Sequence, residues 1–184
     1  MAIITYYVHE QDSKLRMFRD DSSLKKCPKC GYRLDFFAHN PDFVLRKSQY
    51  DVYATYDGQT IVSQAFKDFC TKENYKGLEF LEFKNDEHHY HLIISEDNIV
   101  PFDAPRRKTR FEGLCNVCGN YESIIGATPA YLKIKEPLLD GIYRSDILFA
   151  SGNEKSPLFF VGIQTKEKME EAGLRIRFSP VEGL

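Results

Sequence analysis

The chain of 184 residues has no tryptophan, little net charge and no apolar run long enough to cross a membrane. Its formal net charge of −2 gives no electrostatic reason to expect a nucleic-acid-binding protein. Residues 1–7 have neither the basic start nor the apolar core of a signal peptide. We therefore expect a cytoplasmic protein without membrane association, in a compartment where cysteine thiols stay reduced.

Common signatures of nucleotide-binding and hydrolytic enzymes are also missing. The segment 150–153 lacks the lysine and the second glycine of a phosphate-binding loop. The Gly-x-Ser-x-Gly pattern of a hydrolase nucleophile elbow does not occur. We therefore predict a protein that is not an enzyme and takes no small-molecule substrate.

The sequence does contain two copies of Cys-x-x-Cys-Gly, Cys27-Pro28-Lys29-Cys30-Gly31 and Cys115-Asn116-Val117-Cys118-Gly119. Each copy is typical of a zinc knuckle, a tight turn that directs two thiolates at one metal ion and needs glycine at its end. Two knuckles supply the four ligands of a tetrahedral site, which has no free position for water or substrate. We therefore predict a structural zinc ion bound by Cys27, Cys30, Cys115 and Cys118.

Other interpretations of the cysteines remain open at this point. A thioredoxin-like redox pair would open a helix, and neither pair is followed by a helical apolar period. Disulfides would need an oxidising compartment. If zinc is bound, it joins distant parts of the chain and contributes folding free energy on the order of 10 kcal/mol. The fifth cysteine, Cys70, falls at an apolar position of a predicted helix, so we expect a small core residue.

Strand-like and helical patterns alternate along the chain, which predicts an α+β fold. Strands are expected at residues 3–8, 15–19, 43–46, 50–55, 78–83 and 90–94. Residues 61–73 carry the i, i+4 apolar stripe of an amphipathic helix, and residues 98–110 are predicted to form a loop.

A weak internal repeat runs through both halves of the chain. In each copy, a strand leads through a short amphipathic helix to a strand that follows Gly77 or Gly173. Short elements also recur by chance, so duplication stays open. Because no Pro-, Gly- or Ser-rich linker occurs, we predict one domain over 1–184. Within it we predict two β–α–β-like modules, about 1–110 and about 111–184, with mixed or antiparallel sheet, joined by the shared zinc site.

These features together resemble the double-CxxCG family of bacterial immunity proteins from polymorphic-toxin and contact-dependent systems. The two knuckles carry the resemblance, and the pattern from 61–66 to Gly77-Leu78-Glu79-Phe80 and its counterpart from 146–147 to Gly173-Leu174 support it. The resemblance implies a small cytoplasmic antidote that binds and neutralises a cognate protein toxin without doing chemistry. Only the four cysteines transfer from the family, because such proteins diverge most where they contact the toxin.

An antidote against a toxin that cuts nucleic acid would present acidic surface to a basic cleft. The chain offers four acidic clusters: Asp20-Asp21, Asp86-Glu87, Glu96-Asp97, and Glu167 with Glu170 and Glu171. Runs of charge are usually solvated faces, so no cluster is assigned as a contact.

A zinc-ribbon protein that binds nucleic acid or regulates its use is the alternative function. Four cations, Arg106, Arg107, Lys108 and Arg110, precede the second knuckle, and Lys25, Lys26 and Lys29 flank the first. If both knuckles hold one metal, these cations would meet in a basic patch that could bind phosphates. Net acidity favours instead a role in offsetting thiolate charge, so nucleic acid is not the expected partner.

A second metal site or an acid/base group is a further alternative. His88, His89 and His91 lie close together, and on a strand His89 and His91 would share one face. We favour a simpler interpretation, a polar strand edge beside the acidic turn at 86–87.

Overall fold

The computed structural model describes residues 2–19, 22–46 and 48–183, and in them the fold is α+β with far more strand than helix. The strands are β1 (Ile3–His9), β2 (Gln11–Asp12), β3 (Val52–Ala54), β4 (Thr60–Ser63), β5 (Leu78–Phe83), β6 (Asp86–Ile94), β7 (Ile99–Val100), β8 (Arg110–Leu114), β9 (Tyr121–Ile125), β10 (Ile142–Ser151), β11 (Ser156–Val161) and β12 (Arg177–Glu182). The helices are α1 (Gln64–Lys72), α2 (Ala104–Arg107) and α3 (Ile163–Glu171), with short 3-10 turns at Glu96–Asn98 and Gly152–Glu154.

Two sheets organise these strands. The larger has seven strands in the order β12-β1-β11-β10-β9-β8, antiparallel throughout, with β7 pairing in parallel with β10. The smaller has five strands in the order β2-β3-β4-β6-β5, antiparallel except for the β2–β3 pair. The prediction of an α+β fold with mixed and antiparallel sheet is confirmed at this level.

A strand–helix–strand order occurs twice, but its first strands are β4 and β11, whereas the predicted repeat began at 51–53 and 146–148, at β3 and β10. In the smaller sheet, β4, α1 and β5 follow one another, and β6 lies between β4 and β5. In the larger sheet, β11, α3 and β12 follow one another, and β1 lies between β11 and β12. Both units are therefore split β–α–β arrangements whose two strands run in the same direction on either side of an antiparallel third. Their origin by duplication stays a prediction.

One hydrophobic cluster is common to both sheets and both long helices. The larger sheet contributes Val8, Ile142, Phe159 and Val161, the smaller sheet contributes Val52, Val62, Tyr90, Leu92 and Ile94, and the helices contribute Phe66, Phe69, Cys70 and Met169. The buried Arg144 side chain of β10 also donates from Nε to the carbonyl of Ile94 in β6, at 2.8 Å. The division into two modules therefore stays a prediction, since the units share a core.

Helix α1 shows how the local sequence sets an element. Ser63 begins it as an N-cap, because its hydroxyl accepts the backbone N–H of Phe66 at 3.2 Å. Phe66, Phe69 and Cys70 lie on one face at i, i+3 and i+4 and are buried. Burial of a side chain the size of Phe66 stabilises the fold by about 2–3 kcal/mol. Cys70 is 2% exposed, as predicted for a small core residue.

The predicted start of this helix is wrong. Residues 61 and 62 belong to β4, where Ile61 pairs with His91 and Val62 pairs with Tyr90. Both side chains are completely buried. Val62 lies in the cluster common to both sheets, and Ile61 lies in a separate cluster with Met17 and Phe43. An apolar run that is buried on both faces has no strand period, so the sequence pattern merges with that of the helix.

Two predicted strands, 15–19 and 43–46, are irregular in the structure. In these segments, carboxylates accept backbone N–H groups in place of the carbonyls of a neighbouring strand. Asp57 accepts the backbone N–H groups of Met17 and Phe18 at 2.9 and 3.0 Å, and Asp86 accepts the N–H of Leu45 at 3.1 Å. Apolar side chains of these segments, such as Met17 and Leu45, are nevertheless buried.

The predicted loop at 98–110 is also wrong, because it contains β7 and α2, and Arg110 begins β8. Asp103 caps α2 by accepting the backbone N–H of Arg106 at 3.3 Å, and Pro105 lies in its first turn, where no N–H is needed. Within the described residues, no helix combines the length and the apolar character that crossing a membrane requires.

Candidate metal centre

The four cysteines of the two knuckles converge on one point. Their sulfur atoms all lie within 4.8 Å of one another. Across the knuckles, Cys27 Sγ lies 3.9 Å from Cys115 Sγ, and Cys30 Sγ lies 3.6 Å from Cys118 Sγ. In each pair 88 residues of sequence separate the partners. The predicted meeting of the two motifs at one potential metal site is confirmed.

The two knuckles have the same local geometry. In the first, the Cys27 N–H donates to the Tyr32 carbonyl at 2.8 Å and the Gly31 N–H donates to the Cys27 carbonyl at 2.9 Å. In the second, Cys115 and Gly119 make the matching bonds, both at 2.8 Å. Gly31 and Gly119 have φ of +72° and +74°, a left-handed conformation that glycine adopts without strain. The glycine that ends each motif therefore closes the turn.

The sulfur spacing fits a tetrahedral metal site. With metal–sulfur bonds of about 2.3 Å, tetrahedral geometry places neighbouring sulfurs about 3.8 Å apart. The measured distances of 3.6 and 3.9 Å lie on either side of this value. Disulfide bonding would need sulfurs about 2.05 Å apart, and all five cysteines are free thiols. Four sulfur donors can therefore hold one metal ion with no position left over for a substrate.

Different kinds of structure carry the two knuckles. The second is the tip of the β8–β9 hairpin of the larger sheet, where Leu114 pairs with Tyr121. The first lies in the irregular segment before β3, closed by an antiparallel bridge between Lys26 and Arg33. Outside the cysteines, Lys29 Nζ reaches Asn116 Oδ1 at 2.5 Å. The site thus joins the start of the irregular segment to the larger sheet.

Backbone N–H groups hold two of the sulfurs in the second knuckle. The backbone N–H of Asn120 and then its side chain lower the pKa of Cys118 to about 6. The backbone N–H groups of Cys118 and Val117 lower the pKa of Cys115. A thiol with a lowered pKa is more readily the thiolate that a metal binds. The second knuckle is therefore prepared for metal by its own backbone.

Burial of the ligands is uneven. Cys27 and Cys115 are buried, Cys118 is half-buried and Cys30 is exposed. A cleft of about 500 Å³ opens beside Cys30, between the two knuckles, and Tyr32, Leu114 and Asn153 line part of it. One side of the centre therefore faces solvent while the other is packed in protein.

A buried lysine that the sequence reading missed lies beside the centre. Lys155 is 2% exposed, its Nζ donates to the carbonyl of Tyr121, and it stands 4.1 Å from the centre of the Tyr32 ring. Burial lowers its pKa, while the nearby sulfurs of Cys30 and Cys118 act in the opposite direction. A buried ammonium close to thiolates supplies a positive countercharge. Lys155 comes from the turn before β11, and no spacing relative to the cysteines marks it.

The basic cluster of Arg106, Arg107, Lys108 and Arg110 lies on α2, at its C-terminal end and at the start of β8. Arg110 begins β8 and Cys115 follows its end, so one strand length of roughly 17 Å separates them. Arg106 stacks over the Tyr131 ring at 4.3 Å, and Arg107 Nε donates to the Thr128 carbonyl at 3.0 Å. Their meeting with Lys25, Lys26 and Lys29 of the first knuckle stays a prediction.

Of the three clustered histidines, His89 and His91 are buried and paired, and His88 is exposed. The predicted polar strand edge is wrong, because β6 is an interior strand between β4 and β5. Both carboxylate oxygens of Asp86 lie 2.8–2.9 Å from His89 Nδ1, and both residues are buried. His91 is fully buried with its Nε2 2.9 Å from Gln59 Oε1, and burial lowers its pKa to about 3. His88 lines a separate cleft of about 730 Å³ beside Lys84 and Arg46.

Metal-ligating side chains gather at one place in the described part of the chain. No second group of three or more His, Cys, Asp or Glu side chains at ligand distances occurs there. In the predicted acidic clusters, Asp86 contacts His89. Asp20 and Asp21 lie outside the described residues, and the exposed members are Glu96, Asp97, Glu167, Glu170 and Glu171.

Neither a protein-family model nor a curated protein sequence matches the chain.

Proposed function

We propose that this chain is a non-enzymatic antidote that binds a cognate bacterial toxin and blocks it, with a structural zinc ion holding its fold. The observation that carries the proposal is the closed set of four sulfur donors, which joins segments 88 residues apart. A site of this kind stabilises a surface instead of performing chemistry. The resemblance of the doubled knuckle to immunity proteins supplies the partner class.

Zinc is the metal that we assign to the centre. Four thiolates suit Zn²⁺ or iron, and sulfurs 3.6 and 3.9 Å apart fit one ion and not an iron–sulfur cluster; for a structural site we assign Zn²⁺, which has no redox chemistry. Cys27, Cys30, Cys115 and Cys118 would hold it. Reduced thiols fit the cytoplasmic location that we propose for the protein.

Inhibition would proceed by surface occlusion. The exposed acidic residues Glu167, Glu170 and Glu171 lie on and at the end of α3, although Lys166 partly neutralises Glu170 at 2.7 Å. A toxin that binds nucleic acid carries a basic cleft, and an acidic surface speeds association with it. An enzyme inhibited in this way needs no catalytic group from its antidote.

The test begins with a tagged copy expressed in its native cells and purified with and without nuclease. We expect one stoichiometric protein partner that survives nuclease, is toxic when expressed alone, and is tolerated when co-expressed with this chain. A Glu167→Lys, Glu171→Lys variant tests the acidic surface: it should keep the metal and bind the partner more slowly than the wild-type protein.

Two outcomes would overturn the proposal. Retention of nucleic acid in place of a protein would favour the zinc-ribbon alternative, and loss of binding in an Arg106→Ala, Arg107→Ala variant would then confirm the basic cluster as its contact. Turnover of a small molecule by the purified chain would favour an enzyme. Metal analysis of the same preparation separately tests the assignment of zinc.

A further inference from the structure

Strand β8 forms an exposed edge of the larger sheet. It is the last strand of the larger sheet and pairs with β9 on one side only. All five of its residues are exposed, including Phe111 at 41% and Leu114 at 59%. A strand edge with free backbone groups and exposed apolar side chains is a template for pairing with another strand.

The other three sheet edges are protected by a proline, a short strand or covering contacts, which residues 110–112 of β8 lack; Gly113, with φ of +67°, leaves the extended conformation just after them. Pro180 removes a backbone donor from β12, and β2 has only two residues. At β5, His39 Nε2 contacts the Glu82 carbonyl at 2.9 Å, and Lys84 donates its N–H to the Pro41 carbonyl at 2.8 Å. Short strands, proline and covering loops are the usual means of blocking edge pairing. The contrast singles out β8 as the edge available to a partner.

We propose that β8 pairs antiparallel with β8 of a second copy of this chain, about a two-fold axis through Phe111. Such an axis must set one residue opposite its own copy and pass midway between the two. An axis between neighbouring residues would set i opposite i+1, whose side chains point to opposite faces of the sheet, whereas facing residues in an antiparallel pair point to the same face. An axis through Arg110 or Glu112 would set like charges opposite each other. The axis through Phe111 sets Arg110 of each copy opposite Glu112 of the other.

Side chains on both faces of the joined strands complement one another in this register. On one face, Arg110 and Glu112, which lie 3.7 Å apart within one chain, form a four-charge ring with their copies. On the other face, Phe111 meets its own copy, extending the contact that its ring makes with Tyr121 at a centroid distance of 5.2 Å. Aromatic pairs and opposite charges are the side-chain pairs that stabilise neighbouring strands.

The dimer is expected to be weak. Only residues 110–112 of the two β8 strands face each other about this axis, so the pair buries far less than a standard interface of about 1,600 Å², and we expect a dissociation constant weaker than about micromolar. The test is sedimentation velocity over a wide range of protein concentration, with metal content and melting temperature measured for every variant. Wild-type protein should pass from monomer to dimer as its concentration rises.

Charge reversal gives the decisive comparison. Arg110→Glu or Glu112→Arg alone should weaken dimerisation at least tenfold, because each creates like charges across the axis. Mixing the two single variants should restore association as a heterodimer, and the double variant Arg110→Glu, Glu112→Arg should restore the homodimer. Glu79→Arg, an exposed reversal on β5 of the smaller sheet, should leave dimerisation unchanged.

Either of two results would overturn the proposal. Wild-type protein that stays monomeric at every concentration would exclude the pairing. A dimer that persists in both single variants, or that mixing and double exchange fail to restore, would place the interface elsewhere. Variants with wild-type metal content and melting temperature keep these outcomes separate from misfolding.

Discussion

The ammonium group of Lys155 lies 4.1 Å from the centre of the Tyr32 ring and donates to the carbonyl of Tyr121, so it is held between the two knuckles. Tyr32 follows the first Cys-x-x-Cys-Gly and Tyr121 follows the second. Four thiolates with one Zn²⁺ would carry a net charge of −2, and this lysine offsets part of it. The countercharge thus comes from a part of the chain outside both motifs.

Replacing Lys155 with Met should weaken metal retention. We expect a loss of about tenfold in competition with a chelator, which is typical when a supporting contact of a metal site is removed. Lys67→Met is the matched control, because Lys67 also stands over a tyrosine ring, that of Tyr90 at 3.9 Å, but is not part of the centre. Equal metal retention in the two variants would contradict the role given to Lys155.

Replacing Cys30 or Cys118 with Ser should release the metal and destabilise the whole fold. The metal contributes on the order of 10 kcal/mol, comparable to the total stability of a typical domain, about 5–15 kcal/mol. Metal content and thermal unfolding of the same samples provide the measurement. Cys70→Ser is the control and should keep the metal, at a cost of about 1–3 kcal/mol for a buried hydroxyl. A metal-free variant with an unchanged melting temperature would show that the centre does not support the fold.

Glu10 should make stability fall as pH rises. Burial raises its pKa from 4.5 to about 7, against the opposing effect of the Thr60 hydroxyl that donates to it at 2.5 Å. Between these values the folded state binds more protons than the unfolded state, so this contribution to stability decreases with rising pH and levels off above about 7.

The variant Glu10→Gln isolates that effect. Relative to wild type, it should gain about 1–3 kcal/mol in the free energy of unfolding on going from pH 5 to pH 8. Denaturant unfolding at both pH values gives the comparison, with the exposed Glu171→Gln as control. A difference from wild type that is the same at both pH values would refute the assignment.

His91 should act in the opposite direction. Its pKa is lowered from 6.5 to about 3, first by burial and then by His39, so the folded state keeps it neutral. Its stabilising contribution is present above about pH 6.5 and is lost as pH falls toward 3. Because the Gln59 amide donates to the Phe36 carbonyl at 2.9 Å, Gln59 Oε1 faces His91, and the ring proton belongs on Nε2.

Nitrogen NMR of the imidazoles checks this directly. We expect the His91 ring of the folded protein to remain neutral at pH 5, carrying its proton on Nε2. In denaturant the same ring should titrate near its ordinary value of about 6.5. Protonation of His91 in the folded protein at pH 5 would contradict the lowered pKa, and would show that water reaches the pair of His91 and Gln59.

The sequence was informative where a local motif determines geometry. Gly31 and Gly119 predict the knuckles, because the left-handed turn that they permit is a property of five consecutive residues. The four ligands could therefore be named in advance. Lys155 could not, because its place beside the sulfurs depends on how β10, β11 and the β8–β9 hairpin pack together.

Strand prediction failed for a related reason. Met17 and Leu45 lie in short apolar segments that read as strands, and they are buried, but Asp57 and Asp86 bind the backbone N–H groups there. A carboxylate 40 or 41 residues away in sequence decided the local structure. Ile61 and Val62 gave the opposite error, since burial on both faces removes the alternation by which a strand is recognised.

The position of β1 between β11 and β12 has a consequence for synthesis of the chain. Thr5 bonds to Val161, 156 residues further along, and Ile3 pairs with Glu182. During synthesis β1 must therefore wait, unpaired, until both strands that flank it, about 150 residues further along, have been made. During that interval the apolar side chains that β1 buries in the folded protein, Ile4 and Val8, stay exposed to solvent.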